Sequence, residues 1–225
     1  MLWGALTRRT AVFRIAAGRH AFEAKTLLGE HFAGIVCSDR WGGYDYLDPS
    51  RRQLCWAHLL RDFTAHSEGL AEQQRFGSDG VQIARDLFAA WRSFQADRDR
   101  PLLQTQIAPL QDKLRTLLEH AARKSPRTKY HRQFARNLLN RWPALWTFTH
   151  TDGVHPTNNH AERGLRGAVI HRKLSLGTQS EHGERTLERL LSASITCRLQ
   201  ARSLFAYLSD VLTASIRGDP IPALA

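Results

Sequence analysis

The sequence predicts an α/β protein in which short strands precede a long helical region. Short apolar runs separated by polar turns occupy the first part of the chain. From about residue 80 onward, apolar residues recur at the spacing of amphipathic helices. Hydrophobic residues make up 42% of the 225 residues and charged residues 24%, which is typical of a globular protein with a buried core.

The chain opens with a pattern typical of a β-hairpin followed by a helix. Residues 2–6 and 11–16 are apolar runs, and the polar residues 7–10 between them predict a turn. Residues 20–28 then carry apolar side chains at helical spacing, and Gly29 is a plausible helix end. We therefore expect two strands and one helix before residue 30.

The next elements place a carboxylate at the end of a strand. The continuous apolar run 33–37 predicts a strand that is buried on both faces. Asp39 follows it directly, at the edge where open α/β sheets usually place their chemistry. Residues 53–56 predict another short strand, which leads into a helix that contains His58.

The middle of the chain predicts a helical block in which apolar stripes pack in a core. Proline residues separate the stripes. The stripes comprise Ile83, Leu87, Phe88, Trp91 and Phe94; Leu103, Ile107, Leu110, Leu114, Leu117 and Leu118; and Phe134, Leu138, Leu139 and Trp142. A loop rich in Gly, Pro and Asn follows, and either Asn158 or Asn159 is a good cap for the next helix. Residues 184–200 and 203–216 predict two further helices.

Charge and cysteine content restrict the class of protein. Lys and Arg number 32 and Asp and Glu 21, so the net charge of +11 favours binding to phosphate backbones. No apolar run approaches the roughly 18 residues of a membrane span, and residues 1–6 are too short for a signal peptide. Three widely spaced cysteines fit the reducing cytoplasm better than a disulfide framework. We expect a cytoplasmic protein with no membrane partner.

Two carboxylates are the leading candidates for chemistry. Asp39 alone is more often a turn or cap residue, and Glu162 in the first turn of a helix is common because of the helix dipole. If folding brings the two together, their oxygens suit Mg²⁺ or Mn²⁺, ions that assist phosphodiester chemistry. Arg163, Arg166, Arg172 and Lys173 surround Glu162 and are candidates for phosphate contacts, although a charge run is usually a solvated face.

Two other site types find little support. Cys55 and His58 have the spacing of half a zinc site, but no second cysteine pair accompanies them, so core packing or a local hydrogen bond is preferred. His160 and Glu162 match half of the nucleobase-deaminase signature, whose second half requires two cysteines after a proline. Only Cys197 follows, without that proline, which excludes this interpretation.

Several ordered blocks resemble the transposases of the insertion sequence 66 family. The segment 38–44 is similar to the family's strand-end Asp and Gly-Tyr turn, and 55–63 to its Cys-Trp-Ala-His block. Residues 155–166 and 171–173 resemble its Glu-bearing helix and the segment after it. The stretches 183–185 and 205–208 also fit the family's final helices, so the similarity spans most of the chain.

The resemblance implies an RNase H-like mixed sheet flanked by helices, with a helical insertion and an Asp-Asp-Glu triad that holds two metal ions. Residues 1–79 would form the first part of this core and 80–150 the insertion. Residues 151–217 would form the second part of the core, and 218–225 a tail. Asp39 matches the second carboxylate and Glu162 the third. Cys55 and His58 belong to a structural motif.

One departure from the family pattern bears on activity. The family's first Asp lies on a strand before the first strand of this chain, and residues 1–38 contain no Asp. We expect the missing carboxylate to leave the Mg²⁺ or Mn²⁺ site incomplete and the chain inactive by itself. The resemblance thus leaves two functions open: a transposase fragment that cleaves and joins double-stranded DNA, or a non-catalytic DNA-binding remnant. Either could form a homo-oligomer or a mixed oligomer with an intact transposase.

Overall fold

A computed structural model describes residues 1–123, 128–174, 178 and 180–224; for residues 171–174 it describes the backbone and not the side chains. The chain divides into two compact units. The hairpin unit comprises Met1–Phe32 and Asn159–Ala225, and the helical unit comprises Ala33–Asn158.

The described residues form four strands and nine α-helices. The strands are β1 (Leu2–Leu6), β2 (Ala11–Ile15), β3 (Val36–Ser38) and β4 (Arg52–Leu54). The helices are α1 (Ala21–Leu28), α2 (Trp56–Ser67), α3 (Glu72–Asp97), α4 (Arg100–Ala122), α5 (Arg132–Asn140), α6 (Thr147–His150), α7 (Asn159–Leu174), α8 (Glu181–Leu199) and α9 (Leu204–Arg217). The α/β class is confirmed, and helix predominates. No helix in this described part is both long and apolar enough to cross a bilayer.

The predicted hairpin is confirmed in the hairpin unit. β1 and β2 pair antiparallel, with Leu2 opposite Ile15 and Leu6 opposite Ala11. The Thr7 hydroxyl accepts hydrogen bonds from two backbone N–H groups of the turn, which fixes the connection between the strands. The predicted helices α1, α7, α8 and α9 are all present, and α7 begins at Asn159 as its sequence predicts.

Side chains of α8 cover the outer edge of β2. The N–H groups of Ala11, Phe13 and Ile15 donate to Thr196 Oγ1 at 3.0 Å, Ser192 Oγ at 2.9 Å and Glu188 Oε1 at 2.5 Å, respectively. These three α8 residues are four positions apart, so they lie in one row along the helix. Every outward N–H of β2 therefore has a partner, although no further strand pairs with it among the described residues.

In the helical unit, β3 and β4 pair in parallel, with Val36 opposite Arg52. The prediction for β3 is partly wrong. The strand covers Val36–Ser38 instead of 33–37, and Val36 and Cys37 are half-buried instead of buried on both faces. β4 is the single strand neighbour of β3 within the described ranges, which explains this partial exposure. The described strands thus form two two-stranded sheets, and the RNase H-like mixed sheet implied by the resemblance is not among them.

The helical block packs as its apolar stripes predict. Leu87, Leu114 and Leu138, one from each predicted stripe, are fully buried in a common core with Phe63 of α2. Helix α3 begins at Glu72, before the apolar stripe becomes visible, because its first turns are mostly polar. The backbones of α2 and α3 approach closely at Gly77, where an added Cβ would lie 2.1 Å from the Ser67 nitrogen.

Candidate metal-binding and DNA-binding residues

Asp39 lies immediately after β3, half-buried, at the start of a turn. One of its carboxylate oxygens, Oδ1, accepts a hydrogen bond from the Trp41 N–H at 3.1 Å. The Ser38 hydroxyl donates to the Asp39 carbonyl at 2.8 Å, so side chain and backbone are both held. The turn role that we consider for a lone Asp is therefore present, and it leaves the carboxylate at the carboxyl end of a strand.

The segment after Asp39 is tightly built. Gly42–Tyr44 forms a short 3₁₀ helix, in agreement with the turn and short helix that the sequence predicts. The Trp41 indole lies over Gly43, where an added Cβ would be 2.0 Å from the ring, and it contacts the Tyr44 ring edge-on at 5.4 Å. Any larger side chain at position 43 would displace the indole and disturb the turn that holds Asp39.

A carboxylate and two arginines fix the far end of this segment. Asp45 accepts hydrogen bonds from Arg52 Nη1 at 2.8 Å and from Arg141 Nε at 2.8 Å, and also from Arg141 Nη2. Arg52 is only 1% exposed. Burial would raise the pKa of Asp45, but the hydrogen bonds and charges of Arg141 and Arg52 outweigh it and lower that pKa. We call Asp45, Arg52 and Arg141 the arginine clamp.

Sequence reasoning does not identify the arginine clamp. Arg52 directly precedes the predicted strand 53–56, and a charged residue beside an apolar run is ordinarily placed at the surface. Arg141 lies far along the chain from Asp45, so no local spacing connects them. The clamp ties the segment after Asp39 to β4 and to the end of α5.

Arg40, next to Asp39, points toward the helices of the core. Its Nε donates to Asp62 Oδ2 at 2.7 Å, and its guanidinium lies 5.0 Å from the centroid of the Phe134 ring. Arg40 is thus committed to contacts with α2 and α5. Asp39 is therefore bracketed by two attachments to the helical core, Arg40 and the arginine clamp.

The Cys-Trp-Ala-His block connects β3 with the segment before α7. The Cys55 N–H donates to the Ser38 carbonyl at 2.8 Å, and the Trp56 N–H donates to the Pro156 carbonyl at 2.8 Å. The Cys55 sulfur is buried and accepts a hydrogen bond from the Asn158 N–H at 3.4 Å. Cys55 is thus buried and hydrogen-bonded through both its backbone N–H and its sulfur. His58 is half-buried in the first turn of α2.

Partial burial raises the pKa of the nearby Cys37 thiol, and the Cys55 thiol raises it further. Both cysteines are free thiols. A thiol with a raised pKa is a poor nucleophile and a poor metal ligand at neutral pH. Cys37 is therefore not a candidate for either role.

Glu162 lies in the first turn of α7 and is half-buried. Two contacts attach this turn to the hairpin: His160 Nε2 lies 2.9 Å from the Thr7 carbonyl oxygen, and Gly164 lies under Leu6. At Gly164 an added Cβ would be 2.2 Å from Leu6 Cδ2, so glycine permits the close approach of α7 to β1.

The predicted phosphate-binding residues divide into two groups. Arg163 and Arg166 are exposed on α7, as a surface contact with DNA requires. Arg172 and Lys173 lie in the last turns of α7, but their side chains are outside the described residues.

The two candidate metal ligands belong to different units. Asp39 lies in the helical unit and Glu162 in the hairpin unit, so their sharing of an ion stays a prediction. Over the residues that the structure covers, no group of three or more His, Cys, Asp or Glu side chains is arranged to hold a metal ion. Both carboxylates nevertheless supply the oxygen donors that Mg²⁺ and Mn²⁺ prefer.

Comparisons with known proteins point to one family. The family model described as "Transposase IS66 family" matches residues 1–186, a range that includes both Asp39 and Glu162. Two curated proteins of Sinorhizobium fredii are similar over most of the chain. The uncharacterized protein y4qI is 28% identical over 237 residues, covering 97% of this chain and 42% of the relative. The uncharacterized protein y4hP is 26% identical over 223 residues, covering 87% and 40%, respectively.

The chain therefore spans about two-fifths of the length of these curated relatives. No solved structure matches it.

Proposed function

The chain belongs to the IS66 family of transposases, and from this premise we propose that it contributes Asp39 and Glu162 to a metal-dependent site for DNA cleavage and strand transfer. The observation that carries the proposal is the family match, which includes both blocks that bear these carboxylates. The location of Asp39 directly after a strand and of Glu162 in a first helical turn also supports the proposal.

The proposed ion is Mg²⁺ or Mn²⁺, held by the carboxylate oxygens of Asp39 and Glu162. When bound, it would polarise a phosphodiester and lower the pKa of an attacking hydroxyl group. The turn hydrogen bond from Trp41 would keep the Asp39 carboxylate oriented, and Arg40 and the arginine clamp would hold that turn to the helical core. The protein's own contribution is thus to position two oxygen ligands at fixed points.

The proposed substrate is double-stranded DNA in the cytoplasm. The net charge of +11 attracts phosphates at long range. Exposed Arg163 and Arg166 would contact phosphates beside Glu162, and Arg172 and Lys173 would extend that surface along α7. Backbone contacts of this kind position DNA without reading its sequence.

The proposed architecture follows the family. We assign residues 1–79 and 151–217 to an RNase H-like catalytic core, residues 80–150 to a helical insertion and residues 218–225 to a tail. In this assignment the helical block accounts for the long sequence separation between Asp39 and Glu162.

A second function is DNA binding without catalysis, in which the chain occupies DNA or acts together with a catalytically active transposase. The net charge of +11 supports it, because a cationic surface attracts phosphate backbones whether or not the site is active.

DNA nicking by the purified chain separates the two functions. Supercoiled plasmid is incubated with the wild type, Asp39→Asn, Glu162→Gln and the control Asp112→Asn, which alters an exposed carboxylate of α4. If the chain is catalytic, the wild type nicks the plasmid in the presence of Mg²⁺ or Mn²⁺, and a metal chelator abolishes the nicking. We expect Asp39→Asn and Glu162→Gln to reduce the rate at least about 100-fold, and Asp112→Asn to leave it unchanged.

Retention of DNA by all four proteins without nicking would establish the non-catalytic function. Nicking that survives in both Asp39→Asn and Glu162→Gln would overturn the assignment of the site.

A further inference from the structure

The positive charge of the helical unit is concentrated in one stretch of the chain. Residues 120–151 contain seven Lys and Arg and neither Asp nor Glu. In the rest of that unit, Asp and Glu number 13 against 11 Lys and Arg, so the remainder carries a small negative charge. The attraction of this unit for a polyanion therefore comes from the stretch 120–151.

Four cationic side chains of this stretch lie where α4 ends and α5 begins. Arg123 follows the last residue of α4, and Lys129 precedes α5. Arg132 and Arg136 are four positions apart on α5, so they share one face of that helix. Arg136 Nε donates to the Ala122 carbonyl at 3.2 Å, which places its guanidinium beside the end of α4.

None of these four cations forms an ion pair with an Asp or Glu in the part of the chain that the structure describes. Glu72, which acts on the adjoining His131, pairs with Arg75 Nη1 at 3.8 Å. Arg132 lies in the first turn of α5, where the helix dipole disfavours a positive charge. The arrangement costs stability, and a bound polyanion would offset that cost.

Tyr130 lies between Lys129 and Arg132 in the sequence, and its ring is open to solvent. Tyr130 is 71% exposed, and Lys129 Nζ lies 5.5 Å from the ring centroid. Among the described residues of the helical unit, every other Phe, Tyr and Trp is buried or half-buried. An exposed aromatic ring among basic side chains is typical of surfaces on which unpaired bases stack.

The residues around Tyr130 hold its backbone in place. The neighbouring His131 is 2% exposed, and its ring stacks on that of Phe76 with the centroids 4.6 Å apart. Thr128 is 4% exposed, and its hydroxyl donates to the Arg123 carbonyl. The turn is therefore anchored in the helical core while the Tyr130 side chain is exposed. A ring on an anchored backbone loses less conformational entropy when it binds.

We propose that Arg123, Lys129, Tyr130, Arg132 and Arg136 form a binding surface for single-stranded DNA, which we call the tyrosine surface. Its basic side chains contact backbone phosphates, and the Tyr130 ring stacks on a base. The face of a base is accessible to an aromatic side chain when the base is unpaired. The ring therefore adds affinity for a single strand and little for a duplex.

The tyrosine surface differs from the proposed duplex contacts in position and in chemistry. Those contacts lie on α7 of the hairpin unit, whereas the tyrosine surface belongs to the helical unit. The choice of DNA as the bound strand rests on the proposed function, because cleavage of a duplex frees strand ends that can unpair. Binding itself requires neither metal nor cleavage, so it is measurable apart from the candidate catalytic site.

Fluorescence anisotropy with a labelled oligothymidylate of about 12 nucleotides, in EDTA and about 0.1 M salt, tests the proposal. The wild type is compared with Tyr130→Ala, which removes the ring, and with Tyr130→Phe, which retains it. Tyr130 is exposed, so neither substitution disturbs the core. We expect Tyr130→Ala to weaken binding about 5- to 100-fold and Tyr130→Phe to weaken it less than about twofold. Binding of a duplex of the same length should change less than about twofold in either variant.

The double variant Arg132→Ala and Arg136→Ala tests the phosphate contacts. Each contact with a single strand contributes about 0.7 to the slope of log affinity against log salt, so this variant should reduce the slope by about 1.4. The control Arg85→Ala with Arg92→Ala removes the same charge from exposed positions of α3 and should leave the slope nearly unchanged.

Three results would each overturn the proposal: unchanged single-strand affinity in Tyr130→Ala, equal losses on the single strand and the duplex, or equal slopes in the two double variants. A chain that binds the oligothymidylate through Tyr130 without nicking plasmid would support the tyrosine surface and contradict the proposed catalysis. A chain that nicks plasmid but binds the single strand equally well with and without the Tyr130 ring would contradict the tyrosine surface alone.

Discussion

At the scale of single residues, the arginine clamp places a full positive charge inside the protein. Arg52 is 1% exposed, and Asp45 is the acidic partner that contacts it directly. A buried charge that loses its partner costs far more than a broken surface pair, because water cannot replace the lost contact. Asp45 itself is half-exposed, so part of the loss is recovered by solvent.

We predict that Asp45→Asn lowers the free energy of unfolding by about 2–4 kcal/mol, because the Arg52 guanidinium loses its hydrogen-bonded carboxylate and keeps only the weaker attraction of Asp39. Urea denaturation measures the change, and Asp112→Asn, on the exposed surface of α4, should change it by less than about 0.5 kcal/mol. If Asp45→Asn lowers the free energy of unfolding no more than Asp112→Asn does, the buried charge of Arg52 does not depend on Asp45 for its stabilisation.

At the scale of elements, helix α8 performs the task of a neighbouring strand. Its polar row supplies the acceptors that the N–H groups of β2 would otherwise find in a sheet. The deepest member, Thr196, is 2% exposed and both accepts from and donates to the backbone of Ala11. The hairpin is thus held by hydrogen bonds as well as by the apolar contact of Phe13 with Ile195.

We predict that Thr196→Val lowers the free energy of unfolding by about 1–3 kcal/mol, since valine has the same shape but leaves the buried N–H and C=O of Ala11 unpaired. Thr186→Val on the same helix is the control: Thr186 is exposed, and its hydroxyl contacts only the helix backbone in the described contacts. Thermal denaturation compares the melting temperatures of Thr196→Val and Thr186→Val, and we expect that of Thr196→Val to be lower. Equal melting temperatures would show that water replaces the Thr196 hydroxyl.

The sequence predicts elements with a clear local period, and the structure confirms them: the hairpin, the helical stripes and the start of α7 at Asn159. It does not predict contacts that join distant polar residues. Glu188, Ser192 and Thr196 have helical spacing in the sequence. A polar row of this kind ordinarily indicates a solvated face, so the sequence does not predict that it packs against β2. The burial of Arg52 is likewise not predictable, because a charged residue is ordinarily expected at the surface and its partners are not its neighbours in the sequence.

The candidate site follows a similar division. Asp39 after a strand and Glu162 in a first helical turn are local features, and both elements are present. Their joint use depends on the arrangement of two separate units, which no period in the sequence encodes. The boundaries of β3 were also mispredicted, because an apolar run does not reveal how many neighbours a strand has.

At the scale of the whole molecule, charge determines how the chain meets DNA. The excess of +11 is distributed over both units, so any patch of arginines would attract DNA to some extent. Direct phosphate contacts differ from this general attraction because each one releases counterions from the DNA. The dependence of DNA affinity on salt concentration therefore distinguishes direct phosphate contacts from general electrostatic attraction.

We predict that the double variant Arg163→Ala and Arg166→Ala reduces the slope of log affinity against log salt by about 2, at a rate of about 0.9 per phosphate contact. Fluorescence anisotropy with a duplex of arbitrary sequence measures this slope between about 50 and 200 mM salt. The matched control, Arg85→Ala with Arg92→Ala, removes the same charge from exposed positions of α3. Equal effects of the two double variants would argue against a DNA-binding surface on α7.

The contact between β2 and α8 also fixes an order of events in the cell. Ala11 and Thr196 are separated by 185 positions in the chain. At a synthesis rate of about 5–20 residues per second, the ribosome completes Thr196 roughly 10–40 s after Ala11. During that interval the outward N–H groups of β2 have no partner from α8, so a chaperone that binds extended segments would have its greatest effect on yield before α8 is translated.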